Sequence, residues 1–159
     1  MTDVMSPEKR SALMSRIRGR NTGLELGFFR ALRRSGVVFR RHVRLLSRCT
    51  PDVVIEHSRL AIFIDGDFWH GWRFPAWSKK LRPFWRKKIG GNRARDSKNH
   101  RALRRRGWAV VRIWEHQLER DLPGAINRVT SMLVARASSD GEASRISAYG
   151  KGLRRRRRA

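Results

Sequence analysis

The spacing of apolar positions predicts four helices in this chain. Apolar residues recur every three or four positions in three of the four segments, and the segment 92–106 is predicted as a basic helix that Gly107 ends. Ser6-Pro7-Glu8 begins the first helix, because Ser suits an N-cap and Pro the first helical position. Thr22 with Glu25 three residues later has the pattern of a capping box for the second. The predicted helices cover residues 6–18, 22–34, 92–106 and 122–135.

Four short apolar runs predict strands, which cover residues 37–43, 52–56, 60–65 and 108–114. The short turn at residues 57–59 joins the second and third runs, so these two strands predict a hairpin. The aromatic, Pro-containing segment 72–83 is expected to be a loop. Helices before and after this group of strands predict an α/β sandwich around a small mixed sheet.

The composition of the chain indicates which class of partner it binds. The 159 residues include 38 Lys+Arg against 13 Asp+Glu, for a formal net charge of +25, which indicates a broadly basic surface that neutralises nucleic-acid phosphates. Charge alone favours a ribosomal or architectural protein. However, 40% hydrophobic residues and six tryptophans predict a larger core than a simple basic binder needs.

Several protein classes are excluded or disfavoured. Cys49 is the only cysteine, which excludes an internal disulfide and a cysteine-rich zinc finger. No run approaches the roughly 18 apolar residues of a membrane span, and the N-terminus has no signal-peptide pattern. We therefore expect a soluble, cytoplasmic protein with no membrane partner. One domain is expected over residues 1–135, followed by a basic, disordered tail over 136–159 that ends in five arginines before Ala159.

Acidic residues at the ends of two predicted strands suggest metal chemistry. Asp52 follows Pro51 at the start of one strand, and Asp65 ends the next. In so basic a chain, carboxylates gathered in this way predict a divalent cation acting on a polyanion, with the main-chain carbonyl of Ile64 as a further oxygen ligand. The alternatives are a turn-forming Asp52 and ordinary loop acids at Asp65 and Asp67.

Three further polar residues are candidates for catalysis. His70 follows the acids closely and is of the right type for a general base, although a packing histidine is the alternative. Asp96 either orients His70 or makes a surface ion pair with Arg93 or His100. Glu25 has a sufficient structural explanation in the capping box.

Aromatic residues lie among cations in two places. Phe68-Trp69 lies between polar residues, and Trp85 lies in a run of arginines and lysines. Most aromatic residues belong to cores. Aromatic residues embedded among cations also suit stacking on bases or wedging between base pairs.

Taken together, these motifs resemble the very-short-patch repair endonucleases, the Vsr-type T:G mismatch nickases. The resemblance covers residues 11–118, about two thirds of the chain, and several motifs in order make it specific. The matching segments are Met14-Ser15-Arg16-Ile17, Arg20-Asn21-Thr22 with Glu25, Pro51-Asp52-Val53-Val54, Ile62-Phe63 with Gly66, Phe68-Trp69-His70, Phe84-Trp85 with Lys88-Ile89-Gly90, Asn92, Arg95-Asp96, Gly107-Trp108 with Val111, and Ile113-Trp114-Glu115.

The resemblance implies a restriction-endonuclease-like core and Mg²⁺-dependent nicking of duplex DNA. The nick is expected 5′ of the T in T:G mismatches that arise from deamination of 5-methylcytosine. Asp52 is the implied metal carboxylate, beside the carbonyl of Ile64. His70 is the implied base, supported by Asp96, and Glu25 is expected to hold a water on the metal.

The resemblance also implies DNA contacts and partners. Phe68, Trp69 and Trp85 form the expected wedge at the mismatch, where a wobble pair is easier to distort than a matched pair. The N-terminal helix is expected to clamp the duplex. Further expected DNA-binding residues are Arg16, Arg20, Lys88 and Asn92. We expect a monomer in the bacterial cytoplasm, associated with the nucleoid and linked in function to a cytosine-5 DNA methyltransferase and mismatch-repair proteins.

The chain departs from the family pattern at two places. Asp65 stands where well-known members carry a histidine, which allows it to serve as an additional metal ligand. The positions of a structural zinc correspond to Asp67, Trp72, Phe74 and His116. Two possible ligands do not make a four-ligand site, so no structural zinc is expected and the two aromatic residues are expected to fill the space by packing.

Two rival hypotheses remain open at this stage. The first is a related nuclease of the same fold that cuts other DNA structures or RNA, which the loss of the zinc ligands allows. The second is a DNA-binding protein without catalytic activity.

Overall fold

The computed structural model describes the backbone of residues 22–155 and the side chains of residues 22–138. The predicted N-terminal helix, with Arg16 and Arg20, lies outside the described residues. The helices are α1 (Gly23–Arg34), α2 (Phe74–Trp77), α3 (Pro83–Arg105), α4 (Glu115–Arg120) and α5 (Leu122–Arg155), with a 3-10 turn at Ser78–Lys80. The strands are β1 (Arg40–Arg41), β2 (Val53–Ile55), β3 (Leu60–Asp65) and β4 (Ala109–Trp114).

The strands form one mixed sheet in the order β1-β2-β3-β4. β2 pairs antiparallel with β1 and β3, whereas β3 and β4 are parallel and joined through α3. The predicted hairpin and the small mixed sheet are therefore confirmed. β1 is much shorter than predicted, because β2 offers only three residues for pairing and His42 turns the chain away at φ 51°.

Side chains of β3 alternate between two cores on opposite faces of the sheet. Leu60 and Ile62 belong to the larger core, which includes α1, α4 and α5, and Ala61 belongs to the smaller core beneath α3. This period of two is the geometry of a strand covered on both faces. The helices therefore flank the sheet on both sides, as the sandwich prediction requires.

α1 begins and ends as its sequence predicts. Thr22 is the N-cap, and its hydroxyl oxygen accepts a hydrogen bond from the backbone N–H of Glu25 at 3.3 Å. Ser35 is the C-cap. Phe28 and Leu32 on one face of α1 are fully buried, and this face orients the helix so that Glu25 is also buried, at 5% exposure. Burial of each large apolar side chain contributes on the order of 2 kcal/mol.

The predicted helices differ from the observed helices in four respects. α3 starts at Pro83 rather than at residue 92, because Pro suits a first helical turn and cations conceal the apolar period that follows. α4 was missed, since six residues carry too little periodicity, and the expected loop at 72–83 contains α2 and the 3-10 turn. α5 continues to Arg155 instead of ending near residue 135, since nothing after Pro123 interrupts it. The division into a domain and a tail stays a prediction.

Within the described residues, no helix is long and apolar enough to cross a membrane.

Candidate active site

A cleft of about 370 Å³ opens where β2 begins and β3 ends. These two ends lie at the same edge of the sheet because the strands are antiparallel. All six residues predicted for catalysis or metal binding line the cleft. They are Glu25, Asp52, Ile64, Asp65, His70 and Asp96. The fold thus brings together residues from α1, the sheet, the loop after β3 and α3, although their functional roles stay predictions.

Asp52 lies largely buried in the cleft. Its Oδ2 accepts a hydrogen bond from the backbone N–H of Ile64 at 2.7 Å, and the Nδ1 atom of His42 lies 3.7 Å from its Oδ1. Burial raises the pKa of Asp52 from 3.8 to about 7; the Ile64 hydrogen bond opposes the rise, and the charges of Glu25 and Asp65 add to it. The cleft therefore concentrates negative charge that a cation would relieve.

The carbonyl group of Ile64 faces the same part of the cleft. The backbone N–H of Asp52 donates to Ile62 O at 3.0 Å, so the polar backbone groups of Ile62 face β2. Two residues further along the strand, the polar groups of Ile64 must face the same side. Its N–H reaches Asp52, and its carbonyl therefore lies beyond the start of β2, beside that carboxylate.

His70 is held by two carboxylates. Its Nδ1 atom lies 2.7 Å from Asp96 Oδ2 and 3.3 Å from Asp65 Oδ1. Burial by itself lowers the pKa of His70, but the Asp96 hydrogen bond and the charges of Asp65 and Asp96 outweigh it, so the pKa is raised. Burial likewise raises the pKa of Asp96, but contact with His70 and Arg112 leaves it lowered. Because Nδ1 is engaged, Nε2 is the ring nitrogen left to exchange protons.

Arg112 is a site residue that sequence reasoning missed. It is a charged residue between Val111 and Ile113 in β4, and a lone cation in an apolar strand was the available signal. Its Nε donates to Asp65 Oδ2 at 2.5 Å, and its Nη2 lies 3.6 Å from Asp96 Oδ2. Asp65 is thus a buried, ion-paired residue, which excludes the alternative of an ordinary loop acid.

The acidic cluster has the spacing of a cation site. One ligand atom from each of Asp65, His70 and Asp96 can be chosen so that the three lie within 4.8 Å of one another. Together with Asp52, these side chains supply the oxygen-rich donor set of a hard divalent ion. The acidic cleft therefore fits a divalent metal ion.

The loop after β3 is fixed by contacts away from the cleft. Asp67 Oδ1 lies 2.7 Å from His116 Nδ1. The ring of Trp72 packs against His116 and Trp114, with centroids 4.8 and 4.9 Å away. Phe74 packs against Trp77 at 5.3 Å. Trp72 thus packs beside the Asp67–His116 pair, whereas the ring contact of Phe74 is with Trp77, and the filling of that space by both aromatic residues stays a prediction.

An aromatic cluster forms where the loop after β3 meets the start of α3. Phe68, Trp69 and Trp85 contact one another with ring centroids 5.2 to 5.8 Å apart. Phe68 is 41% exposed, and Trp77 stacks on it at 5.9 Å with an interplanar angle of 17°. The Nζ atom of Lys88 lies 5.4 Å from the Trp69 ring and 5.5 Å from the Trp85 ring. The three residues predicted as a wedge therefore form one surface, which sequence separation alone did not establish.

Asn92 is engaged within the protein. Its side-chain Nδ2 donates to the carbonyl oxygen of Trp69 at 3.0 Å, which ties α3 to the aromatic loop. The predicted DNA contact by Asn92 stays a prediction, and its structural contact is with the loop. The loop that carries both His70 and Trp69 is thus held from two sides, by Asn92 and by the Asp67–His116 pair.

Comparisons with known proteins agree with this geometry. Residues 2–75 match the family model described as DNA mismatch endonuclease Vsr. The chain is 38% identical over 135 residues to the Type II nicking enzyme V.XorIIP of Xanthomonas oryzae pv. oryzae, covering 84% of this chain and 98% of that protein. It is 35% identical over 121 residues to the DNA mismatch endonuclease Vsr of Escherichia coli, covering 72% and 74% respectively.

A solved structure shares the fold. The catalytic domain of the homing endonuclease I-Bth0305I superposes with a TM-score of 0.52 at 17% identity, covering 73% of this chain and 98% of that domain. At this identity the likeness concerns the fold alone. It is consistent with a restriction-endonuclease-like core, a mixed four-stranded sheet with helices on both faces.

Proposed function

The chain belongs to the Vsr family of DNA mismatch endonucleases, and from this premise we propose that it nicks duplex DNA 5′ of the T in a T:G mismatch, with Mg²⁺ as its cofactor. DNA endonuclease activity follows from family membership. The substrate and the metal are the proposal. The single observation that carries it is the arrangement of Asp52 and the His70–Asp96 pair in one acidic cleft.

His70 is the general base of the proposed reaction. Asp96 accepts the hydrogen bond from Nδ1, which fixes the tautomer and leaves Nε2 to take a proton from the attacking water. The two nearby carboxylates stabilise the imidazolium that forms when this proton is taken. Asp96 therefore both orients the base and favours its protonated product.

Mg²⁺ fits the part of the cleft around Asp52. The pKa of Asp52 is raised to about 7, mainly by burial, so a cation beside it would favour the ionised carboxylate. Glu25 and the carbonyl oxygen of Ile64 line the same cleft. Carboxylate and carbonyl oxygens are the ligands that Mg²⁺ prefers. When bound there, the ion stabilises the negative charge that develops at the scissile phosphate and the leaving 3′ oxygen.

Asp65 is better placed to orient His70 than to bind the metal. One of its oxygens is bonded to the Arg112 guanidinium, and the other faces His70 Nδ1 at 3.3 Å. A cation at this cluster would also lie beside the positive charge of Arg112. We therefore place the metal at Asp52 and Ile64, with Glu25 nearby, and propose Asp65 as an orienting residue.

The aromatic cluster provides the proposed mismatch contact. Phe68 is exposed, and Trp69 and Trp85 surround it, while Lys88 holds positive charge against the same rings. A wobble pair is more easily unstacked than a matched pair, so an aromatic wedge selects for it through deformability. The wedge and the cleft are joined by the short loop 67–70, which places base recognition next to the chemistry.

The test is cleavage of labelled duplexes with T:G, U:G or matched T:A pairs in randomised sequence contexts, with Mg²⁺ or EDTA. Asp52→Asn and His70→Ala are assayed beside the parent protein, and Glu119→Gln, an exposed acid on α4, is the matched control. We expect an Mg²⁺-dependent nick 5′ of the mismatched T. It should be lost in both site variants and retained in the control.

Other outcomes identify the rivals. Cleavage without preference for a mismatch supports a nuclease of the same fold with another substrate. Tight binding without cleavage in any context contradicts the proposed activity and leaves a DNA-binding role.

A further inference from the structure

Two arginines stand at the rim of the active-site cleft. Of the described residues that line the cleft, Arg48 and Arg95 are the only lysines or arginines. Both are exposed, and they come from different elements, the turn before β2 and helix α3. Within the part of the chain that the structure describes, neither makes an ion pair with a carboxylate.

The negative charge of the cleft favours cationic side chains at its rim. Four carboxylates, from Glu25, Asp52, Asp65 and Asp96, line the cleft that must admit a phosphodiester. Arg112 pairs with Asp65, and an incoming phosphate adds a further negative charge to the cleft. Like charges a few Å apart repel by about 1 kcal/mol even in water and by more where water is excluded. Permanent cations at the rim offset this repulsion.

The backbone at Arg48 is held rigidly. Residues 46–49 form a tight turn in which the N–H of Cys49 donates to Leu46 O at 3.2 Å, and the buried Cys49 anchors the turn in the smaller core. The side chain of Asn99 on α3 donates to Arg48 O at 2.9 Å. The guanidinium is thus exposed on a backbone that is fixed to α3, which lowers the entropy lost when it binds a phosphate.

Arg95 is connected to the aromatic loop. Its guanidinium donates to Asn92 Oδ1, and the same amide group donates to Trp69 O. A guanidinium has five N–H donors, so this one contact with a neutral amide leaves donors for a phosphate. On α3, Arg95 therefore lies between Asn92, which is bonded to the aromatic loop, and Asp96, which is bonded to His70.

We propose that Arg48 and Arg95 bind the phosphodiester backbone of the cut strand next to the scissile phosphate, and that Asn99 positions Arg48. The proposal deepens the proposed function and rests on its active-site cleft. The two arginines contribute to DNA binding, whereas proton transfer stays with His70.

The binding test measures the dissociation constant of a fluorescent duplex in EDTA, from about 50 to about 300 mM KCl. Arg48→Ala and Arg95→Ala should each weaken binding roughly fivefold and reduce the slope of log Kd against log salt by about 0.9, the value for one lost phosphate contact. Arg48→Lys should keep most of the slope, because it keeps the charge. Arg128→Ala, on the exposed side of α5, is the matched control and should match the parent protein.

The kinetic test uses single-turnover cleavage with Mg²⁺ at saturating protein, where both alanine variants should cut within about twofold of the parent rate. Slopes equal to that of Arg128→Ala would overturn the proposal, and so would a collapsed saturating rate with unchanged Kd. If the parent protein cuts no duplex, the proposed function fails, but the salt slopes in EDTA still decide whether the arginines bind phosphate.

The role of Asn99 is tested by a double-mutant cycle. Asn99→Ala should weaken DNA binding in the parent protein but add nothing to Arg48→Ala, because it acts through that residue. Additive losses would refute the positioning role. Asn127→Ala, an exposed amide on α5, serves as its control, and melting temperatures exclude unfolding as the cause.

Discussion

Asp52→Asn should abolish cleavage and at the same time stabilise the metal-free protein. The pKa of Asp52 is raised from 3.8 to about 7, mainly by burial, so the folded state holds the proton more tightly than the unfolded state. Stability from this residue is therefore greatest below pH 3.8. This stability is lost as the pH rises through about 7, because the carboxyl group then ionises in the folded protein and its burial becomes unfavourable.

The magnitude follows from the shift. At about 1.4 kcal/mol per pKa unit, the rise from 3.8 to about 7 corresponds to about 4 kcal/mol above pH 7. Asn retains an oxygen for the Ile64 N–H, but a neutral acceptor is weaker by about 1 kcal/mol. We expect a gain of about 3 kcal/mol, or a melting temperature about 6–12 °C higher, at pH 8 in EDTA.

The assay is thermal and urea unfolding of the parent protein, Asp52→Asn and the control Glu119→Gln, at pH 5 and pH 8, in EDTA and in Mg²⁺. The gain should be larger at pH 8 than at pH 5. It should shrink in Mg²⁺, because the cation compensates the parent carboxylate but not the amide. An Asn variant no more stable than the parent at pH 8 in EDTA would refute the reasoning about burial.

Three other predictions concern the base, the loop and the wedge. Asp96→Asn should lower the pKa of His70, because the substitution removes the bonded carboxylate that raises this pKa. The acid limb of the pH–rate profile should therefore move to lower pH, while the maximal rate falls. An acid limb that does not move would contradict the pairing of Asp96 with His70. Gly71→Ala should lower the free energy of unfolding in urea by about 2–4 kcal/mol, since φ is +68° and the new Cβ would lie 2.7 Å from a side-chain carbon. Gly90→Ala, where nothing lies within 4 Å of the new Cβ, should raise it by up to about 1 kcal/mol. Equal effects of the two substitutions would show that the loop adapts. Trp85→Ala should slow T:G cleavage roughly tenfold while hardly changing matched-duplex cleavage, as competition assays with both duplexes would show, and an equal loss on both would exclude a wedge role.

Much of the framework was predictable from sequence, because its signals are local. The Thr22 cap, the hairpin and the strand at Leu60–Asp65 depend on neighbouring residues, and each was found where predicted. The boundary of α3 was not, because the run of cations after Pro83 hides the apolar period on which helix prediction depends. The short strand β1 was overestimated, since strand length depends on what the partner strand offers.

The candidate site, like the fold, was predictable from the sequence only in part. The order of the family motifs predicted that Glu25, Asp52, His70 and Asp96 belong to one site, and all four line the cleft. No sequence pattern indicated that Arg112 would bond Asp65, since the contact spans 47 residues and depends on the parallel pairing of β3 with β4. The raised pKa of Asp52 likewise arises from burial and from the charges of Glu25 on α1 and Asp65 on β3.

The sequence by itself determined the family, the class of chemistry and the positions of α1, β2, β3 and β4, because these depend on residue type and short-range spacing. Only the tertiary structure decided how charge is distributed in the cleft. It gave Asp65 an arginine partner and gave His70 the Asp96 hydrogen bond. It also buried Asp52 beside His42 and placed Arg48 and Arg95 at the rim. The physical reason is that desolvation and ion pairing depend on distances between residues far apart in the chain, and folding alone sets those distances.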